Sequence, residues 1–503
     1  MLPKSLFKYL GILLFVFLTL EVFGQSCANY AVTRTTGITY SSISSSNPNY
    51  FVWRNTTSNQ NDDNRTFQAP IGFDFWYLGV RYTHFSGNLN GIIDFSSSTS
   101  DGNGQAEYGP GHDGQFSSGG EGVGSLLALA PMYDDLWTAG SGSTPIASSC
   151  FYKTTGTAPN RVLTVEWQNF DEFNSSTGSL NFQVKLYEGT GVIAFEYGTM
   201  TLGTITPSFA CGINNAWPAG VPTTDQLLTQ QTVNTNTFSN VAQNGLSTMP
   251  ESNSRLVFTP PTPSLAPTLL TFSAVTSGGM TLNWIDNASN EIGYSVYYSE
   301  DGINYDYAGQ SLANSTSRII TGLQPSTLYT LKVVAVTDGG VSSELIGTRT
   351  TNAPSNITSI ATGNWNATGT WSCSCIPSSG DNVTIANGHT VTLNTNGSAN
   401  SLTVGGGTSG QLVIGNDATV RNLTLNGTLT INVGATVTIG ALDATHTMVL
   451  KRDVVNNGTL NLAPSATRVC NVTFSRNGNQ SVSGTGATTS FNNIVMNLGV
   501  IGN

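Results

Sequence analysis

Charge is scarce in this 503-residue chain: 9% of the residues are charged, 18 basic against 29 acidic, for a net charge of −11. Holding a phosphate backbone takes a concentrated basic face, so the charge argues against nucleic acid as a partner. The imbalance is still too small to imply disorder. Histidine is scarcer, with only His84, His112, His389 and His446, each in a different local context. None begins an HExxH-type metal motif, and no serine sits in a GxSxG elbow; Gly122-Val123-Gly124-Ser125 has the wrong spacing. Serine-hydrolase chemistry therefore lacks its nucleophile. Six cysteines, Cys27, Cys150, Cys211, Cys373, Cys375 and Cys470, are too few and too scattered for a disulfide framework. Three of them, Cys27, Cys150 and Cys211, fall in one prospective domain, which leaves at least one without a partner there. Cys373-Ser374-Cys375 looks like half a metal site, but no second Cys or His pair follows at zinc spacing. A disulfide or free thiols are expected there.

Long apolar runs are confined to the first residues, MLPKSLFKYLGILLFVFLTLEVFG. Lys4 and Lys8 precede an apolar stretch from Leu10 to Leu20, and small Gly24 follows Val22 at cleavage spacing, so residues 1–24 read as a secretory signal peptide. The stretch is shorter than the ~20 apolar residues of a membrane span. Gly24-Gln25-Ser26 lacks the large aliphatic residue expected three positions before a lipid-bearing Cys27. The expectation is a secreted or outer-surface protein with no transmembrane segment after signal cleavage.

What the chain has in abundance is glycine, 55 residues, with Ser, Thr and Asn throughout and apolar residues on alternate positions. This period of two predicts strands and leaves almost no helical signal. Two proline-bearing seams, Thr259-Pro260-Pro261-Thr262-Pro263 and Thr350-Thr351-Asn352-Ala353-Pro354-Ser355, divide it. The prediction is an all-β protein: an N-terminal β-sandwich over 25–262, an immunoglobulin-like sandwich over 263–353 and a right-handed parallel β-helix over 354–503. A further β-sandwich or stacked hairpins is the alternative for the last part.

In the first module, Phe182, Val184 and Leu186 alternate, a turn spans Glu188–Gly191, and Ile193 and Phe195 resume the pattern, which predicts a hairpin. The phrases IGFDFWYLG (71–79), LLALAPMYDDLW (126–137), VLTVEWQNF (162–170) and FQVKLYEGTGVIAFEYG (182–198) together resemble the N-terminal sandwich of secreted Bacteroidota surface proteins. More distantly they resemble a nidogen-like extracellular domain. That resemblance supplies no catalytic residues. In the second module, MTLNW (280–284), the alternation of Tyr294, Val296 and Tyr298, and GLQPSTLYTLKVVAV (322–336) resemble a fibronectin type III domain across its whole length. The resemblance implies Trp284 in the core, Leu323 before the corner and Tyr329 as the corner tyrosine, in a spacer or protein-binding unit.

In the third module, residues 410–420 echo residues 427–437, and Asn426-Gly427-Thr428-Leu429 recurs as Asn457-Gly458-Thr459-Leu460. Short aliphatic strands with Asn/Gly corners suit a coil of stacked strands, each rung covering its neighbour's apolar face. The outward positions of NLTLNGTLTINVGATVTIG (422–440), Thr424, Thr428, Thr430, Asn432 and Thr438, carry hydroxyls and an amide but no acid or base. Residues 363–393 resemble the opening of bacterial β-helix domains, in which a tryptophan-bearing cap leads into a GDNVTI strand. The resembled secreted proteins close with a type IX sorting domain, which nothing here matches, so the chain is expected to be part of a longer one.

Candidate sites are few. The doublets Asp62-Asp63, Asp134-Asp135 and Asp171-Glu172 supply carboxylates, but neighbours on a strand point to opposite faces, so a catalytic pair would need partners from separate loops. No catalytic residue is assigned. Asp62, Asp63, Asp101 and Asn103 cluster oxygens that suit calcium, without a complete loop motif or a distal glutamate. Of the eight tryptophans, Trp53, Trp137 and Trp217 stand in loop-like sequence and are the candidates for stacking on a sugar ring. Lys451-Arg452-Asp453 reads as a solvated corner. The functional expectation is a multidomain adhesion or binding protein engaging extracellular polysaccharide or a surface protein. The alternative is a polysaccharide lyase or glycosidase with its site on the β-helix or in a missing C-terminal part. A third reading is a lectin-like sandwich that requires calcium.

Overall fold

A computed structural model describes residues 26–53, 64–95, 116, 127–138, 150–175, 177–215, 226–263, 265–407, 409–475, 479–486 and 488–496. Among them, helix is limited to single turns at Cys27–Asn29 and Thr368–Thr370, and the rest of the regular structure is strand. The all-β expectation holds. The described chain separates into two compact units. The first holds the N-terminal sandwich with the short segments 289–292 and 336–341, and the second holds the rest of the fibronectin-like module and the C-terminal coil.

The N-terminal sandwich consists of two antiparallel sheets. One follows the order Ala31–Thr36, Ser254–Thr259, Ile193–Thr201, Ser179–Tyr187, Val162–Glu172, Cys150–Thr155, Asn49–Tyr50, with Leu136–Thr138 also paired to Val162–Glu172. The other runs Phe238–Ser239, Leu227–Gln230, Ala210–Asn214, Ala128–Tyr133, Ile93–Asp94, Val80–Gly87, Ala69–Tyr77. The expected hairpin forms, with Leu186 opposite Ile193 and Val184 opposite Phe195. Alternation places Phe182, Val184 and Leu186 in one continuous core, where Trp167 stacks on Phe182 with ring centroids 5.1 Å apart. Burying each such side chain stabilises the fold by about 1.5–3 kcal/mol.

The fibronectin-like module pairs a three-stranded sheet (Thr268–Ser273, Gly279–Ile285, Ser317–Thr321) with a four-stranded one (Asp306–Leu312, Gly293–Ser299, Leu328–Val336, Leu345–Thr350). Trp284, Leu323 and Tyr329 are all buried in its core, as the resemblance implied. The Tyr329 hydroxyl accepts from the Gln324 backbone N–H at 2.8 Å and donates to Glu300 at 3.0 Å, which makes the corner.

The C-terminal region is a β-solenoid of about five turns with three parallel sheets. Its interior rows stack like on like: Val383, Leu402, Leu429 and Val454 on one face, Val391, Leu412, Val437 and Leu460 on the second, Leu423, Met448 and Val472 on the third. All are buried. Trp365 and Trp371 pack edge to face, 5.3 Å apart and fully buried, at the start of the coil. Gln411–Ile414 pairs with Thr436–Ile439, not with the Leu429–Ile431 strand that its sequence echoes. Leu429–Ile431 pairs with Val454–Asn456, not with Thr459–Asn461. The echoes therefore join strands on adjacent faces of the coil, because corner lengths vary from turn to turn and every face asks for the same apolar alternation.

Candidate functional site

The acidic doublets of the sandwich, separate in sequence, meet in the structure. Strand Leu136–Thr138 lies antiparallel to the end of Val162–Glu172, with Leu136 opposite Glu172 and Trp137 opposite Asp171. The Phe173 N–H closes the corner on the Asp135 carbonyl at 2.7 Å. Asp134, Asp171 and Glu172 are buried. Asp134 accepts from the backbone N–H groups of Asp135 at 3.0 Å and Ser208 at 2.7 Å; Asp171 accepts from those of Glu172 at 3.0 Å and Gly178 at 2.9 Å. Close approach here depends on glycine: a Cβ on Gly178 would stand 2.0 Å from Asp171 Oδ1, and one on Gly203 would stand 2.1 Å from Ser175 Oγ.

Burial pushes the Glu172 carboxyl up to about 9, with the Asp134 charge and hydrogen bond next in weight and Asp171 and Asp135 adding to them. Burial raises Asp134 as well, against the bonds it accepts from Ser208, Asp135 and Glu172. Two carboxyl groups hydrogen-bond only when one keeps its proton, so the pair holds a proton at neutral pH, with Glu172 as donor. Glycoside hydrolysis asks for carboxyl groups about 5 Å or more apart across a substrate. Directly bonded and enclosed, this pair ties the Asp134–Asp135 turn to its neighbouring strand.

Trp137 lies in a strand, not in the loop its sequence suggested, and is half-buried with its ring edge-on to Phe173 at 5.5 Å. Its indole N–H is buried without a hydrogen-bond partner. Trp53 bridges to Thr66 and packs partly buried against the core, 5.9 Å from Phe51. Trp217, Asp62, Asp63, Asp101 and Asn103 lie outside the described residues. Among the described residues, no group of three or more His, Cys, Asp or Glu side chains is placed to hold a metal ion.

The solenoid presents a different kind of surface. On its second sheet two outward columns run up the coil: Thr390, Gln411, Thr436, Thr459 and Thr488 in one, Thr392, Val413, Thr438, Asn461 and Ser490 in the other. Rungs of a sheet are about 4.8 Å apart, so hydroxyls and amides repeat at that interval, with Val413 the one interruption. None of these positions is charged. The columns bond along themselves, Thr390 Oγ1 donating to Gln411 Oε1 at 3.4 Å and Ser490 Oγ to Asn461 Oδ1 at 2.8 Å. The alternation TVT at 390–392 and 436–438 was visible in sequence, but alignment of the columns needed the register. Lys451-Arg452-Asp453 is half-buried, not a fully solvated corner; burial lowers the Lys451 ammonium, against the opposing pull of Asp306.

Comparison with known proteins agrees with these modules. The family described as "NIDO related" matches residues 29–260, and the fibronectin type III domain family matches residues 265–348. Similar solved structures include a fibronectin type III domain of human collagen XX, 26% identical, covering 18% of this chain and 97% of that one with a TM-score of 0.17. Another is a fibronectin type III domain of human contactin 1, 20% identical, covering 18% of this chain and 81% of that one, also with a TM-score of 0.17. The chain thus carries a fibronectin type III domain between a sandwich that matches the NIDO-related family and a C-terminal β-solenoid.

Proposed function

We propose that this is an extracellular modular binding protein that engages neutral polysaccharide through many weak, repeated contacts. The observation that carries the reading is the uncharged double column on the solenoid, in which every position but Val413 carries a hydroxyl or an amide. Sugar hydroxyls accept and donate to such groups, and a repeat along the coil lets a polymer bind at several rungs at once, so that small affinities multiply. The sandwich and the fibronectin type III domain act as rigid modules that display this surface, and the sandwich adds partly exposed Trp137 and Trp53 as minor stacking contacts. Export by the N-terminal signal places the protein where such polymers are found.

The test is a glycan array and affinity electrophoresis on the full chain, with and without calcium. Retention on uncharged polysaccharide, weakened by the double substitution Thr392→Val and Thr438→Val, is the expected result. An absence of binding in both conditions overturns it, and binding that requires calcium and survives the double substitution moves the activity to the sandwich. Release of shortened products from any polysaccharide replaces the binding reading with an enzymatic one.

A further inference from the structure

All six cysteines fall within the described residues, and they are of two kinds. Cys27, Cys150, Cys211 and Cys470 form no disulfide, and each is fully or almost fully buried. Burial pushes the Cys150 thiol up, and pushes Cys211 and Cys470 up to about 12. The thiolate is the nucleophile and the oxidisable form, so these sulfurs are chemically quiet in the folded protein.

Cys373 and Cys375 form a disulfide across a single intervening residue. A cross-link that closes so short a loop removes very little chain entropy from the unfolded state, so it contributes little to stability. The segment is anchored without it. Buried Trp371 donates its indole N–H to the Trp365 carbonyl at 2.8 Å; the Ser372 N–H bonds the Thr358 carbonyl at 2.9 Å, and the Ser374 N–H bonds the Trp371 carbonyl at 3.1 Å. Ser374, between the two sulfurs, has a φ of 52°, in the left-handed region that a serine adopts at some cost. Cys373 is exposed and Cys375 half-buried, so solvent thiols reach the bond. The backbone N–H of Cys375 points at Cys373 Sγ, 3.2 Å away, where it would stabilise a thiolate released on that sulfur.

A disulfide that closes a ring of only three residues, has one sulfur on an exposed residue and has a donor aimed at that sulfur is suited to exchange. We propose that Cys373–Cys375 is a thiol–disulfide exchange site for small thiols, independent of the polysaccharide-facing surfaces. An incoming thiolate attacks Cys375 Sγ. The S–S bond breaks, its electron pair leaves on Cys373 Sγ, and that sulfur takes up the proton the incoming thiol lost. A second thiolate then attacks the small-molecule sulfur of the mixed disulfide, releasing Cys375 as a thiolate that is protonated in turn. Two thiols are oxidised to one small disulfide, and the protein disulfide is reduced to two thiols.

The test treats the full-length folded protein with glutathione at graded concentrations, alkylates it and maps the labels by mass spectrometry, while circular dichroism follows the fold. The expected result is two labels per chain, on Cys373 and Cys375, with the melting temperature unchanged. Once opened, these accessible thiols should label much faster than the buried Cys211 and Cys470. The Cys373→Ser variant, given oxidised glutathione, should trap a glutathione adduct on Cys375. The double variant Cys373→Ser, Cys375→Ser should keep its melting temperature and lose all exchange. The proposal fails if the bond resists glutathione until the protein unfolds and all six sulfurs label together, or if the double variant melts early.

Discussion

The N-terminal sandwich and the C-terminal solenoid are both built from strands, yet they treat charge in opposite ways. The sandwich buries Arg65, Asp94, Glu166, Asp171, Glu172 and Glu196, whereas the acidic, basic and histidine side chains buried in the solenoid, among the described residues, are Asp381 and His446. The difference follows from how each satisfies its backbone. In a coil, each rung pairs with the rungs above and below, and the same pairing recurs from turn to turn. A sandwich has segments that cross its ends, and their N–H groups need side-chain acceptors. Glu166 does this for the 40–43 segment, accepting from the Tyr40 hydroxyl at 2.9 Å, the Ser42 hydroxyl at 3.1 Å and the Ile43 N–H at 2.7 Å. Asp134 and Asp171 do the same for Ser208 and Gly178.

Substitutions that break one region without the other test this contrast. The largest effect is expected from Arg65→Ala, which leaves the buried Asp94 carboxylate without the guanidinium that bonds both its oxygens at 2.7 and 2.6 Å. The cost should be about 3–5 kcal/mol, read as an earlier sandwich transition in chemical denaturation. Next comes Leu429→Ala in the solenoid interior, at about 2–5 kcal/mol. Because rungs couple to their nearest neighbours, hydrogen exchange should quicken first around Leu402 and Val454, its partners above and below. Uniform acceleration across the whole chain would contradict a region held by local stacking.

The pH dependence should differ in sign. Glu172 has its carboxyl raised from 4.5 to about 9 in the folded state, so the folded form binds more protons across that window and the sandwich loses stability as pH rises through it. The loss is at most about 1.4 kcal/mol per pH unit for one proton. Glu172→Gln keeps a donor to Asp134 without the titration and should flatten that slope. In the solenoid, burial first and the Arg421 charge second lower buried His446 below its usual 6.5, so its contribution is present above that value and fades as pH falls below it. Melting curves that shift in the same direction for both regions, after Glu172→Gln has been compared with the native chain, would undo the assignment. The smallest effect belongs to Thr438→Val on the outer column, expected within about 0.5 kcal/mol for stability. A larger loss would mean that the columns brace the coil instead of facing a ligand.

Much of the fold was legible because its determinants are local. Alternation revealed the hairpin at Leu186 and Ile193, and the resemblance to a fibronectin type III domain implied the Tyr329 corner that Gln324 completes. The candidate site was legible only in pieces. Asp134-Asp135 and Asp171-Glu172 stood out as doublets, but which doublet faces which is decided by the pairing of Leu136 with Glu172. Trp137 was misplaced in a loop because its strand is only three residues long, too short for a period to show. The Cys-Ser-Cys spacing pointed to a disulfide or free thiols without choosing between them, and the structure places the two sulfurs in a bond.

By itself, the sequence determined an all-β chain, the order of its modules and the absence of charge along residues 422–440. Each of these depends on residue type and on neighbours a few positions away. The tertiary structure alone decided which carboxyl groups share a proton, which threonines line up into columns and which sulfurs face solvent. These depend on the register between segments far apart in the chain, and register is set by corner and loop geometry that alternation does not encode.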